Sequence, residues 1–308
     1  MALRLAINLP TFGGFLGDDL AAVVDVARAC EAAGVDEVTV SDHVVMGPDV
    51  SLYPFGTFPI AADEPWMEPL AVLAAVAGAT RRITLHTSIL VAPLRPAALL
   101  AKQAATVDAL SRGRLSLGVG TGWQEAEFAA LGADYAARGR VLEETVAACR
   151  ALWRDRPARF AGEHVRFGDT YCSPPIDVGT GPGTDAGPPV AFAGRLTART
   201  LRRVVTLGDG WHPLVRSTPE EVGAGVARLR AALADAGRDP AALTVHHSIP
   251  LVRDGGGRAD PGGSFAGLGA WADAGVTTVQ VPARAWAAAP DELPGRLAEV
   301  VAAFRAAA

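Results

Sequence analysis

Cysteine is scarce. The 308 residues hold three, Cys30, Cys149 and Cys172, far apart in the chain. That spacing fits neither a disulfide framework nor a metal knuckle, so reduced thiols and a cytoplasmic protein are expected. Positive charge is not in excess either. Lys and Arg number 28 against 33 Asp and Glu, a formal net charge of −5. Without a basic stripe, nucleic acid is not an expected partner. Apolar runs such as PLAVLAAVAGA fall far short of a membrane span, so no membrane is expected as a partner. The N-terminal MALRLAINLP carries one arginine and reaches Pro10 too soon to hold a secretory apolar core. There is no Ser-His-Asp arrangement and no G-x-S-x-G. His246 and His247 are adjacent, so on a strand they face opposite sides and cannot share a metal. His86 lies inside a strand and reads as a core histidine, and the sequence gives no sign of a metal constellation.

Half of the residues are hydrophobic, enough for a large core. Strand-like and helix-like segments alternate from end to end. Strands are expected at 3–9, 36–41, 82–90, 114–120, 188–194, 209–213, 243–249 and 277–283. Helices are expected at 18–34, 67–79, 95–113, 196–207, 218–236, 264–274 and 291–306. Gly34 and Gly113 stand at helix ends, and Pro96 near a helix start, as capping prefers. About eight such units in a chain of this length predict an α/β fold, a (β/α)8 TIM barrel forming one domain over 1–308. Two excursions interrupt the alternation, after strands 2 and 4. DHVVMGPDVSLYPFGTFPIAADEPW (42–66) is rich in aromatics and proline and is expected to pack over something. The second, about 157–187, reads as a loop ending in the Gly/Pro-rich IDVGTGPGTDAGPP, expected to be flexible.

Active sites of such barrels lie at the C-terminal ends of the strands. The residues there are Asn8 after strand one; Ser41, Asp42 and His43 after strand two; Ser88 and Ile89 at the end of strand three. Gly120, Thr121, Gly122 and Trp123 follow strand four; Ala193, Gly194 and Arg195 follow strand five; Trp211 and His212 lie in strand six. GVGTG (118–122) has the spacing G-x-G-x-G. It is neither the dinucleotide G-x-G-x-x-G nor a P-loop, since no Lys-Ser/Thr follows. Glycines after strands four and five let backbone N–H groups approach an anion, with a helix start and Arg195 alongside. The same glycines also suit plain turns, Arg195 a surface cation, and Asp42 a loop anchor. His43 is the group suited to general acid–base work or to hydrogen-bonding a cofactor.

The chain resembles the luciferase-like monooxygenase superfamily of flavin and deazaflavin barrels, and within it the coenzyme F420-dependent branch. The matching stretches are VSDHVV (40–45), the block TSILVAPLRPAALLAKQAATVDALSRGRLSLGVGTGWQEAEFAALG (87–132), RG at 138–139 with EETVAACRALW (143–153), and GDGWHP (208–213). The resemblance covers most of 3–215; beyond that only the βα pattern matches. It implies an oxidoreductase that exchanges a hydride between the deazaflavin C5 and a small organic substrate. The alternative it implies is an FMN-dependent monooxygenase using dioxygen. A barrel that binds without turnover is a third reading, disfavoured by the intact glycine loop and His43. His43 is implied as the catalytic residue. The implied cofactor contacts are Asp42, Ser88, Ile89, Gly120, Thr121, Gly122, Ala193, Gly194 and Arg195. Asn8, Trp123, Trp211 and His212 are expected to line the substrate pocket. The Ser88–Ile89 peptide is expected to be cis, and a homodimer is expected. Sugar-phosphate dehydrogenases of this branch carry a glutamate directly after G-T-G; Trp123 stands there instead, which argues against that substrate.

Overall fold

The structure, a computed structural model, describes residues 2–176 and 187–308. Its elements run β1 (Arg4–Asn8), α1 (Val23–Ala33), β2 (Glu37–Val40), α2 (Pro69–Ala79), β3 (Thr84–Val91), α3 (Ala97–Ser111), β4 (Leu115–Gly120), α4 (Glu125–Ala130) and α5 (Arg138–Arg154). Then come β5 (Ala158–Ala161), β6 (Arg166–Thr170), β7 (Val190–Ala193), α6 (Ala198–Leu207), β8 (Gly210–His212), α7 (Pro219–Asp235) and β9 (Thr244–Ser248). The chain ends in α8 (Pro261–Phe265), α9 (Leu268–Asp273), β10 (Thr278–Pro282) and α10 (Leu293–Ala307). The boundaries follow local chemistry. Gly34 closes α1 at φ 87°, a left-handed angle that suits glycine. Thr218 and Glu221 form a reciprocal capping box at the start of α7, with Pro219 as its first residue. Glu68 caps α2 by accepting from the Ala71 N–H at 2.7 Å.

Parallel strands close into a barrel in the order β1-β10-β9-β8-β7-β4-β3-β2, the expected (β/α)8 TIM barrel. Alternation along the strands divides two environments. Leu5, Ile7, Val38, Val40, Leu85, Leu117, Val119, Phe192, Val245, Val279 and Val281 belong to one large apolar core shared with the helices. The inner face is polar. Arg4 Nη2 donates to Thr84 Oγ1 at 2.7 Å, and Thr84 Oγ1 donates to Glu37 Oε2 at 3.1 Å. His86, Ser116, His212 and His246 continue this lining, whereas barrels of this kind are filled mostly by branched apolar side chains. The hydrophobic stabilisation therefore lives between sheet and helices, and the barrel interior is held by hydrogen bonds and ion pairs.

Two expectations need correction. The single helix over 264–274 is two short helices, α8 and α9, with Gly267 at the junction. The second excursion is not wholly loop. It carries an antiparallel hairpin of β5 and β6, with Phe160 and Phe167 stacked at 6.1 Å. Most of its Gly/Pro-rich end, including the stretch expected to be flexible, lies at 177–186, outside the described residues. The three cysteines are free and buried.

Candidate active site

His43 follows β2 at the barrel mouth and is buried. Its Nδ1 lies 2.9 Å from Oε2 of Glu127, a residue of α4 with no exposure. Oε1 of the same carboxylate accepts from the Val44 N–H at 2.6 Å. The imidazole is caged by aromatic rings set edge-on: Trp66 at 4.8 Å, Trp123 at 5.7 Å and Phe58 at 6.1 Å. Tyr53 packs on Phe58 and Trp123. Phe12 stacks on Trp66 at 4.4 Å, with Arg284 over its far side. The 42–66 excursion thus folds its aromatics over the mouth, as its composition suggested. His43 Nε2 makes no hydrogen bond among the described residues.

Asn8 and Ser88 are joined through Ser41. Asn8 Nδ2 donates to Ser41 Oγ at 3.4 Å, and Ser41 Oγ donates to the Ser88 carbonyl at 3.3 Å. The Ser88–Ile89 peptide is cis, as the resemblance implies, at a register shift between β3 and β4. Ser88, Ile89, Thr121, Gly122, Ala193 and Gly194 are half-buried, although the strands leading to them are mostly buried. They form a shelf of small and apolar groups at neighbouring strand ends. Gly120 lies beneath it: a Cβ there would meet Ile89 Cδ1 at 2.6 Å. Gly122 has φ +74°, and a Cβ would stand 2.6 Å from Val91 and 2.9 Å from Phe128. Gly194 has φ +124° and open space where a Cβ would be. Arg195, beside the start of α6, is exposed, and its side chain has no hydrogen bond or ion pair among the described residues. Half-buried residues at three neighbouring strand ends, followed in the chain by Arg195 and the start of α6, are the groups that could hold an aromatic cofactor bearing a phosphate.

Other expected site residues are placed differently. Asp42 is a structural anchor. Its carboxylate takes both nitrogens of Arg95, at 2.6 and 2.9 Å, and the Val91 N–H at 2.8 Å, with no exposure left for a cofactor. Trp211 is not in the pocket. It packs outward against Gly225 of α7 and Leu196, and its indole N–H donates to the Gly194 carbonyl. Trp211 and His212 are neighbours on β8, so they face opposite sides, and only His212 points into the barrel. There His212 is buried within a chain, its Nε2 2.8 Å from His86 Nε2, whose Nδ1 lies 2.6 Å from Ser116 Oγ. His246 stacks on His86 at 4.3 Å with ring planes 2° apart.

These three histidines bring ring nitrogens within 4.8 Å of one another, a cluster the sequence did not disclose. The 2.8 Å contact is a hydrogen-bond distance; two imidazole nitrogens on one tetrahedral zinc stand roughly 3.3 Å apart, given Zn–N bonds near 2.0–2.1 Å. Nearly parallel ring planes also keep the lone pairs from converging. Burial pushes His86 down to about 3, and burial also pushes His212 well below the usual imidazole range, so both are neutral at pH 7. A cavity of about 300 Å³, lined by Arg4, Glu37, His86, Ser116 and His246 among others, opens at the opposite, N-terminal end of the strands. That end is not where such barrels carry chemistry. Glu127, in α4 and outside the residues singled out from the sequence, is the buried partner of His43.

Barrel, cis peptide and mouth histidine define a (β/α)8 scaffold whose candidate site lies at the C-terminal ends of the strands. Residues 5–254 match the family model for luciferase-like monooxygenases, and the chain belongs to that family. It is 31% identical over 214 residues to an uncharacterised protein of Mycobacterium tuberculosis, covering 69% of this chain and 68% of that one. It is 29% identical over 187 residues to an FMNH2-dependent dimethylsulfone monooxygenase of Pseudomonas fluorescens, covering 60% of this chain and 46% of that one. Its fold is similar to that of an F420-dependent secondary alcohol dehydrogenase, with a TM-score of 0.76 at 17% identity over 99% and 100% of the two chains. No helix among the described residues is long and apolar enough to cross a membrane.

Proposed function

We propose that the chain is a coenzyme F420-dependent oxidoreductase acting on a small, uncharged organic alcohol or carbonyl compound. When bound, the deazaflavin supplies a hydride donor or acceptor at C5 and, with carbon in place of the flavin N5, little reactivity toward dioxygen. The observation that carries the reading is His43. Its Nε2 is left free at the mouth while Nδ1 is engaged by Glu127, so one ring nitrogen is available to take a proton from a hydroxyl or return one to a carbonyl oxygen. The aromatic cage supports an uncharged, largely apolar substrate, since Trp66, Trp123, Phe58 and Tyr53 offer little to solvate an ion. The shelf of Ser88, Ile89, Thr121, Gly122, Ala193 and Gly194 would back the ring system, and Arg195 with the start of α6 would hold the phosphate. A homodimeric, cytoplasmic, single-domain protein belongs to the same reading.

The FMN-dependent monooxygenase reading keeps specific support in the 29% identity to the FMNH2-dependent relative. Fluorescence titration of both cofactors in one buffer separates the two. We expect micromolar or tighter binding of F420 and weaker binding of FMN. Arg195→Ala should weaken F420 binding by about 1–3 kcal/mol, the range for losing a charge-assisted hydrogen bond. Tighter FMN binding, with oxygen-dependent turnover when a flavin reductase is supplied, would promote the monooxygenase instead.

A further inference from the structure

We propose that Glu127 is a positioning residue that sets the tautomer of His43, holding the ring proton on Nδ1 so that Nε2 meets the barrel mouth as a free lone pair. The proposal rests on reading His43 as the proton-handling group.

An ionised carboxylate accepts hydrogen bonds and donates none. In the proposal Glu127 is the carboxylate, so with its Oε2 at 2.9 Å His43 Nδ1 carries the hydrogen. The second oxygen is committed too, since Oε1 accepts from the Val44 N–H at 2.6 Å. That bond fixes which way the carboxylate faces. Glu127 has no exposure, so water does not compete for it. Around the imidazole stand Trp66, Trp123 and Phe58, whose rings offer no acceptor that would hold it in another rotation. In water a neutral imidazole favours the proton on Nε2, and the mouth would then meet a donor. The buried carboxylate reverses that preference. Once Nε2 has taken a proton, the positive ring lies against a carboxylate rather than against apolar rings alone. A metal-binding or catalytic histidine is commonly fixed in this way by a hydrogen bond to its other nitrogen. The rival role for Glu127 is purely structural, tying α4 to the start of the 42–66 excursion. Gln124 already makes a parallel tie, its Oε1 accepting from the Gly47 N–H at 2.6 Å.

Glu127→Gln separates the two roles. With Oε1 still accepting from Val44, the amide NH2 must face Nδ1, which then has to accept, so the ring proton moves to Nε2. Long-range proton–nitrogen correlation on histidine-labelled protein, without cofactor or substrate, reads the tautomer, and His43→Asn assigns the signal. We expect the Nδ1–H form in the wild type and the Nε2–H form in E127Q, at an unchanged melting temperature. E127D, which restores a carboxylate, should return the wild-type form. With F420 and a secondary alcohol, E127Q should lose about a hundredfold or more in kcat with KM little changed. A wild-type His43 in the Nε2–H form, or an E127Q protein that keeps the wild-type form, would overturn the proposal. If the tautomer flips as stated but turnover is indifferent to it, the positioning role stands and the reading of His43 as the proton-handling group falls.

Discussion

At the mouth of the barrel an imidazole has one nitrogen bound and one free, inside a wall of indole and phenyl rings. That nitrogen is not among the sealed, unpartnered polar atoms, so a ligand can reach it. His43→Asn tests this better than His43→Ala, because the asparagine amide can still donate toward Glu127 while nothing replaces Nε2. We expect H43N to keep a near wild-type melting temperature and to lose about 10²–10⁴-fold in turnover, the usual share of a general acid–base group. Unchanged turnover per folded molecule would remove His43 from the site. His43 itself was legible in the sequence, because it follows a strand at the functional end of the barrel. Glu127 was not, because its partner lies 84 positions away and an acid in a short amphipathic segment resembles a solvated helix face. The Trp211–His212 pair could have been sorted: adjacent strand residues cannot both line one pocket.

Arg95 acts at the scale of an element. One guanidinium takes Asp42, where the 42–66 excursion begins, and Glu68, just after it ends, at 2.8 Å. Trp66 adds a second closure, its indole N–H donating to the Ser41 carbonyl at 3.4 Å. A long loop is thus clamped at its base, so its aromatics hold their place over the mouth. Arg95→Met would strand the Asp42 carboxylate, which has no exposure, with one backbone donor. We expect a loss of about 3–5 kcal/mol in urea unfolding, the cost of breaking a buried pair from one side. Cleavage within 42–66 under limited proteolysis should appear with it. A loss below about 1 kcal/mol would mean the clamp is dispensable. The barrel strands and most helices were legible because apolar periodicity and caps both marked them. The β5–β6 hairpin was not: its strands are short and largely exposed, with one Phe in each, so no alternation announces them. The break between α8 and α9 was equally hidden, since Gly267 is one glycine among several in PGGSFAGLGA.

The whole molecule keeps its apolar core outside the barrel strands and its buried imidazoles within or against them, which gives its stability a pH dependence. Burial holds His86 down to about 3 and His247, packed on Trp271, down to about 4. An unfolded histidine titrates near 6.5. Between the folded and unfolded values the unfolded chain binds protons that the folded chain refuses, so stability rises with pH across that window. The contribution is complete above about pH 6.5 and is lost as pH falls toward 4. Glu37 has the opposite charge but the same direction. Burial opposes its ionisation, yet His246 and Arg4 outweigh it and hold the carboxyl well below the usual range. Its contribution is lost only below its ordinary carboxylate value, which leaves the interval from about pH 6.5 to 5 to the histidines. We therefore expect a level melting temperature above pH 7 and a progressive fall through that interval, measured by thermal unfolding at constant ionic strength. His247→Phe, which retains a ring against Trp271, should flatten part of the slope without lowering the plateau. A melting temperature that stays level from pH 7 to 5 in the wild type would mean that these buried imidazoles accept protons in the folded state.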